Sequence, residues 1–96
     1  MAISVNSGKV INMTAADDEV TEALFVKSIR VVADAPTIGD DCVFVDPDNT
    51  SDEIWRTRAP AGANVVEEAL IERYLKNGIR LHTNDDNKFE AYISYD

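Results

Sequence analysis

The sequence predicts an all-β fold, a small antiparallel β-sandwich or barrel of six to eight strands. Three observations carry this. Turn-forming clusters recur roughly every ten residues, the spacing of short-stranded β-domains. The apolar runs between them are rich in β-branched and aromatic residues, which fit a pleated, half-buried surface. The last of these runs, Lys88–Tyr95, alternates almost perfectly between apolar and polar.

The elements follow in order. Residues 1–8 read as an N-terminal arm and 9–96 as one domain, since 96 residues give a single core. "NSGK" lacks the two bracketing glycines of a phosphate loop, so Lys9 is in a turn. Lys9–Thr14 is a short strand, and Ala15–Thr21 is an acidic break. In Glu22–Asp34, alternation puts Phe25, Ile29, Val31 and Ala33 on one face, interrupted by Lys27, and Leu24, Val26 and Val32 on the other. A strand apolar on both sides is expected to be central and covered on both faces.

Ala35–Asp41 is a loop, punctuated by Pro36 and Gly39. Cys42–Val45 and Glu53–Arg58 read as a hairpin whose long tip is the turn-forming "DPDNTSD", Asp46–Asp52. Ala59–Ala63 is a breaker. Asn64–Asn77 is ambiguous: Val66, Leu70 and Tyr74 fall at helical spacing, and Gly78 would suit a C-terminal cap. The strand-rich surroundings favour a strand at Asn64–Glu67, followed by a short helical turn or loop near residues 67–76. Gly78–Thr83 and Lys88–Tyr95, joined by "NDDN", are expected to pair as an antiparallel hairpin with one dry face.

Composition narrows the function. The net charge is −9, from nine basic and eighteen acidic residues. A protein that grips nucleic acid neutralises phosphates with Lys and Arg, and an anionic membrane selects the same charge, so neither is an expected partner. Eleven of the eighteen acids fall in breaks, at the rims of the sandwich. Cys42 is the only cysteine, so no internal disulfide forms. Its apolar, carboxylate-flanked setting predicts an inert buried thiol. The first ten residues have no basic region followed by an apolar run, so folding in the cytosol is expected.

No chemistry emerges from the motifs. A calcium loop wants glycine at its sixth position and glutamate at its twelfth, where a loop starting at Asp46 has Ser51 and Thr57. That stretch is a solvated turn. His82 is the only histidine, and Cys42 has no partner at ligand spacing, so neither zinc nor nucleophilic catalysis is expected. No cofactor is expected.

The stretch "EIWRTR" is the exception in this acidic chain. Alternation puts Ile54, Arg56 and Arg58 on one face and Glu53, Trp55 and Thr57 on the other. Trp55 is then directed at the core. A single-strand stacking platform needs aromatics and cations on one face, which this pattern separates. Arg56 and Arg58 form the densest basic patch and are candidate protein contacts, because Arg is enriched at interfaces. Ile54 beside them and Tyr92 on the last strand complete the candidate interface.

"IRVVA" (Ile29–Ala33), Ile54–Trp55, "AGANV" (Ala61–Val65), "GIRL" (Gly78–Leu81) and "YISY" (Tyr92–Tyr95) form a pattern. It resembles that of small β-sandwich virion proteins of tailed bacteriophages, over about two-thirds of the chain, from Ile29 onward. The resemblance implies a structural protein of the particle: a capsid decoration (cement) protein or a head–tail component. Such a protein is made in the host cytoplasm and resides in the virion. Its partners would be the major capsid protein or another virion protein, and copies of itself. Two other classes are alternatives: a head–tail or tail component with a glycan-binding role, using exposed aromatics among Trp55, Tyr74, Tyr92 and Tyr95, and an acidic inhibitor mimicking nucleic acid.

Overall fold

A computed structural model describes residues 9–33, 37, 39–59 and 67–96, together with the backbone alone at 65 and 66. The expected arm, residues 1–8, and the breaker residues 60–63 lie outside the described residues.

Among the described residues, eight strands form two four-stranded antiparallel sheets in a sandwich-like arrangement. They are β1 (Val10–Met13), β2 (Glu19–Val20), β3 (Leu24–Ala33), β4 (Asp41–Asp46), β5 (Asn49–Arg58), β6 (Val65–Leu75), β7 (Ile79–Asn84) and β8 (Phe89–Tyr95). The first sheet has the order β1-β8-β3-β6 and the second β2-β7-β4-β5. Of the seven connections, only β4 to β5 stays within a sheet; every other one crosses the sandwich. The core fills with the inward residues of both sheets, among them Met13, Val26, Ile29, Phe44, Ile79, Leu81, Phe89 and Ile93. Each such side chain contributes roughly 1.5–3 kcal/mol by leaving water.

The expected C-terminal hairpin is overturned. β7 pairs with β4 and β2, whereas β8 pairs with β1 and β3, so consecutive strands lie in opposite sheets. Each has a dry face as expected, but the two dry faces meet across the core instead of lying side by side. The link is a short 3-10 turn, Asp85–Asn87, with Asp86 at φ 58 and Asn87 at φ 52. Asp and Asn tolerate this left-handed geometry better than most residues.

The expected helical turn near residues 67–76 is also overturned. β6 is a strand over its whole length, broken only by a bulge at Glu72, and pairs with β3 from Leu24↔Leu75 to Ala33↔Val65. The reason is arithmetic. A spacing of four places residues on one face of a helix, but it also places them on one face of a strand. Val66, Leu70 and Tyr74 therefore carried no discriminating signal. Gly78, at φ 94, makes the turn from β6 to β7. A Cβ there would stand 1.8 Å from the Val20 carbonyl oxygen.

β3 is central in its sheet, as expected, but its faces differ from the alternation. Leu24 and Val26 are buried, then Ile29, Val31 and Ala33. The inward parity switches at Lys27, where the register with β8 jumps from Val26↔Tyr95 to Ser28↔Ser94. Beside it on β6, two residues, Ile71 and Glu72, stand opposite the single Lys27, with Glu72 at φ 48. Such a bulge re-aims every side chain beyond it. Phe25 consequently points away from the core, and the outer face of this strand is not fully covered.

The β4–β5 hairpin forms as expected, with a shorter turn at Pro47–Asp48 and Asn49 facing Asp46. Residues 50–52 are extended but out of register with β4. β2, inside the presumed acidic break, is a strand the sequence did not signal. Its Glu19 faces Arg80, whose guanidinium also reaches Asp17 at 2.5 Å.

Candidate functional site

The arginine strand comes first. Trp55 pairs with Phe44 across β4–β5, and the two rings stack with centroids 6.1 Å apart and planes at 25°. Thr57 is buried on the same side. Arg56 faces Val43 and Arg58 faces Asp41, so both guanidinium groups are separated from the indole, as the alternation requires. Ile54 departs from it. The register slips between Phe44 and Val45, which leaves Ile54 without a partner, and both Ile54 and Trp55 pack against the core.

Neither arginine is a free cation. Arg58 grips Asp41 with two hydrogen bonds, Nε to Oδ1 at 2.8 Å and Nη2 to Oδ2 at 3.2 Å. This fork holds the Asp41 carboxyl below its usual range. Arg56 donates Nε to Glu53 Oε1 at 2.7 Å. The basic patch is thus neutralised by carboxylates of its own hairpin, which weakens its pull on an acidic rim elsewhere.

Tyr92 lies on the other sheet, half-buried on the outward side of β8. Its hydroxyl donates to Glu90 Oε1, and this bond raises the phenol's pKa by favouring the protonated form. Tyr92 is flanked by Asn12 of β1 and Arg30 of β3, and Arg30 faces Glu68 of β6. The four candidate contact residues therefore fall on two different sheets, Ile54, Arg56 and Arg58 on one and Tyr92 on the other.

The structure brings together a different group. Among the described residues, three large apolar side chains are exposed: Leu70 at 78%, Tyr74 at 63% and Phe25 at 36%. Phe25 and Tyr74 are direct cross-strand partners, and Leu70 faces Ser28 one step beyond the bulge. Phe25, Leu70, Ser28 and Ser94 line a shallow groove of about 480 Å³, with Lys27 and Glu72 completing the lining. The small serines face each other across β3–β8. Sequence reasoning marked Tyr74 and missed Phe25 and Leu70. The missed signal was the run of mixed polarity around Lys27, where strict alternation fails.

A second hollow, about 240 Å³, opens between β2, β3 and the C-terminal residues Tyr95 and Asp96, with Ile11 and Leu24 among its walls. Its lining has the carboxylates of Glu22 and Asp96 and the phenol of Tyr95, with no Ser, Cys, His, Lys or Arg among the described residues.

Titratable groups add little chemistry. Cys42 is fully buried, and desolvation, helped by Asp41, pushes its thiol pKa up to about 12. Asp40 is buried at the loop preceding β4. Burial raises its pKa, the backbone N–H of Thr37 opposes this, and Asp86 and Asp85 raise it further. Among the described residues no group of three His, Cys, Asp or Glu side chains is placed to hold a metal ion, and no helix is long and apolar enough to cross a membrane. No protein-family model, no curated protein and no solved structure matches this chain.

Proposed function

We propose that this chain is a non-enzymatic structural protein that works by docking on other protein subunits. On the resemblance of its strand motifs, those subunits belong to the virion of a tailed bacteriophage, and the chain serves as a decoration (cement) protein on the assembled capsid. The observation that carries the docking role is the exposed apolar group Phe25, Leu70 and Tyr74 on the outer face of the first sheet. Clustered apolar side chains on a small soluble domain mark an interaction surface. The acidic corners keep the free protein soluble before assembly. Cosedimentation of the purified protein with assembled tailed-phage capsids tests the reading. Stoichiometric, saturable pelleting is expected, and its absence across a panel of such particles would overturn the capsid role.

One observation favours a second reading. Tyr74 stands beside Phe25 and a groove floored by two serines, with Lys27 and Glu72 close by. Exposed rings next to hydroxyl and charged groups suit a glycan, as in a tail component. Trp55 does not serve this role, because it is half-buried and stacked on Phe44. A glycan array separates the two readings. The nucleic-acid mimic loses ground, since Asp17, Glu19, Asp41 and Glu53 are occupied by arginines of the same chain.

A further inference from the structure

We propose that Asn77 is a self-modification site, where the chain converts its own carboxamide to a carboxylate and so loosens the corner at which β6 of one sheet passes to β7 of the other.

The sequence supplies the reactants. Asn77–Gly78 is the sole Asn–Gly pair of the chain. The backbone nitrogen that follows an asparagine can attack that residue's side-chain carbonyl, and a glycine, with no Cβ, leaves this nitrogen unhindered. The Gly78 nitrogen bonds to Cγ of Asn77 and gives up its proton. The Cγ–Nδ2 bond breaks, Nδ2 takes up a proton and ammonia leaves. Water then opens the cyclic imide on one side or the other. Opening at the side-chain carbonyl gives an aspartate. Opening at the backbone carbonyl gives an isoaspartate, whose main chain runs through the former side chain. Either way one neutral amide becomes one carboxylate.

The fold leaves the site within reach and gives the reaction a consequence. Leu75, Lys76, Asn77 and Gly78 form the turn from β6 to β7, and its closing bond, from the Gly78 amide to the Leu75 carbonyl, is long at 3.3 Å. Breaking that one bond frees the nucleophile without opening the core. The carboxamide itself is tied to the end of β4. Its Nδ2 donates to Asp46 Oδ2 at 3.1 Å and to Oδ1 at 3.4 Å. The same carboxylate accepts from the Asp48 amide at 2.8 Å. Asp46 thus joins the β4–β5 turn to the β6–β7 turn, and Asn77 supplies the donor. After the reaction the donor is gone and two carboxylates face each other, each opposing the charge of the other. An isoaspartate would also lengthen the main chain just before Gly78, where the Val20 and Glu22 carbonyls already exclude a Cβ.

Timed incubation of the folded chain in heavy-oxygen water, at mildly alkaline pH, tests the proposal. Mass spectrometry of the peptide that carries Asn77 should show ammonia lost and one heavy oxygen gained, with the other asparagines unchanged over the same period. Asp46→Ala unties the carboxamide and should raise the rate about tenfold with circular dichroism unchanged, the factor for a hydrogen bond to a charged group. Asn77→Gln should stop the reaction. Asn77→Asp reproduces one product and should melt below the wild type at neutral pH. Adding Asp46→Asn to Asn77→Asp should restore the melting temperature, because the pair again holds one donor and one carboxylate. A folded chain that gains no heavy oxygen at Asn77 overturns the site, as does one that gains it equally at the other asparagines. A rate unchanged by Asp46→Ala overturns the restraint, and an Asn77→Asp chain as stable as the wild type overturns the loosening of the corner.

Discussion

Asn84 closes on the backbone of Phe89 from both sides: its Nδ2 donates to the Phe89 carbonyl at 2.9 Å, and its Oδ1 accepts from the Phe89 amide at 3.0 Å. The same Nδ2 donates to the Thr14 carbonyl at 3.0 Å. One buried side chain thus takes the place of the ladder bonds that a hairpin would have made, at the point where the chain leaves one sheet for the other. Asn84→Ala strands an amide and two carbonyls in a buried setting. Each unsatisfied buried group costs about 1–3 kcal/mol. Denaturant titration is expected to show a loss of about 3 kcal/mol or more, with the slope unchanged.

Two glycines with left-handed backbone separate conformational strain from steric conflict. Gly39, at φ 85, has nothing within 4 Å of its would-be Cβ, whereas Gly78, at φ 94, has the Val20 carbonyl oxygen at 1.8 Å. Gly39→Ala should cost only the backbone term, of order 1 kcal/mol. Gly78→Ala must also push β2 away from the β6–β7 turn. Thermal melts should place Gly78→Ala well below Gly39→Ala, and equal melting temperatures would contradict the close approach.

Asp40 and Asp41 are neighbours with opposite pH linkage. The Asp40 pKa is raised in the fold, chiefly by burial, so the folded state holds its proton more tightly than the unfolded chain does. Stability from this group is therefore present below the ordinary carboxylate range and declines as pH rises through the folded value. The Asp41 pKa is lowered by Arg58, so its contribution is present above the ordinary range and is lost as pH falls through the folded value. At neutral pH, Asp40→Asn should raise the melting temperature by a few degrees and Asp41→Asn should lower it. Both differences should shrink toward zero in strong acid. Melting curves of the three proteins at neutral and acid pH check the two signs together.

The fold class was legible because strands with one dry face leave alternation in the sequence, as in Phe89, Ala91, Ile93 and Tyr95. Which strands pair was not. Alternation fixes the face that turns inward and is silent on whether the next strand lies beside it or across the core, so it does not distinguish a β7–β8 hairpin from the crossover that forms. The bulge at Lys27 and Glu72 left only a break in alternation around Lys27, since no Gly or Asn stands at the left-handed position. That irregularity hid Phe25, and the spacing of four shared by helix and strand hid Leu70, and with them the exposed face. The arginines were visible as residue types. Their neutralisation depends on the register Asp41↔Arg58, seventeen residues apart, which no local pattern encodes.

The thiol of Cys42 reports on the closure of the whole sandwich. It lies between Thr57 and Asn84 in the middle of the second sheet, fully buried, with its pKa pushed up to about 12. Alkylation requires both the thiolate and access to reagent, and the fold withholds both. In native buffer, labelling by iodoacetamide should proceed only through opening of the core, at a rate that falls as stability rises. Asn84→Ala, which loosens the neighbouring residue of β7, should accelerate it. His82→Ala, exposed on the same strand, should not. Mass spectrometry of timed samples measures the rate, and prompt labelling of the native wild type would contradict the packing of Cys42 in the core.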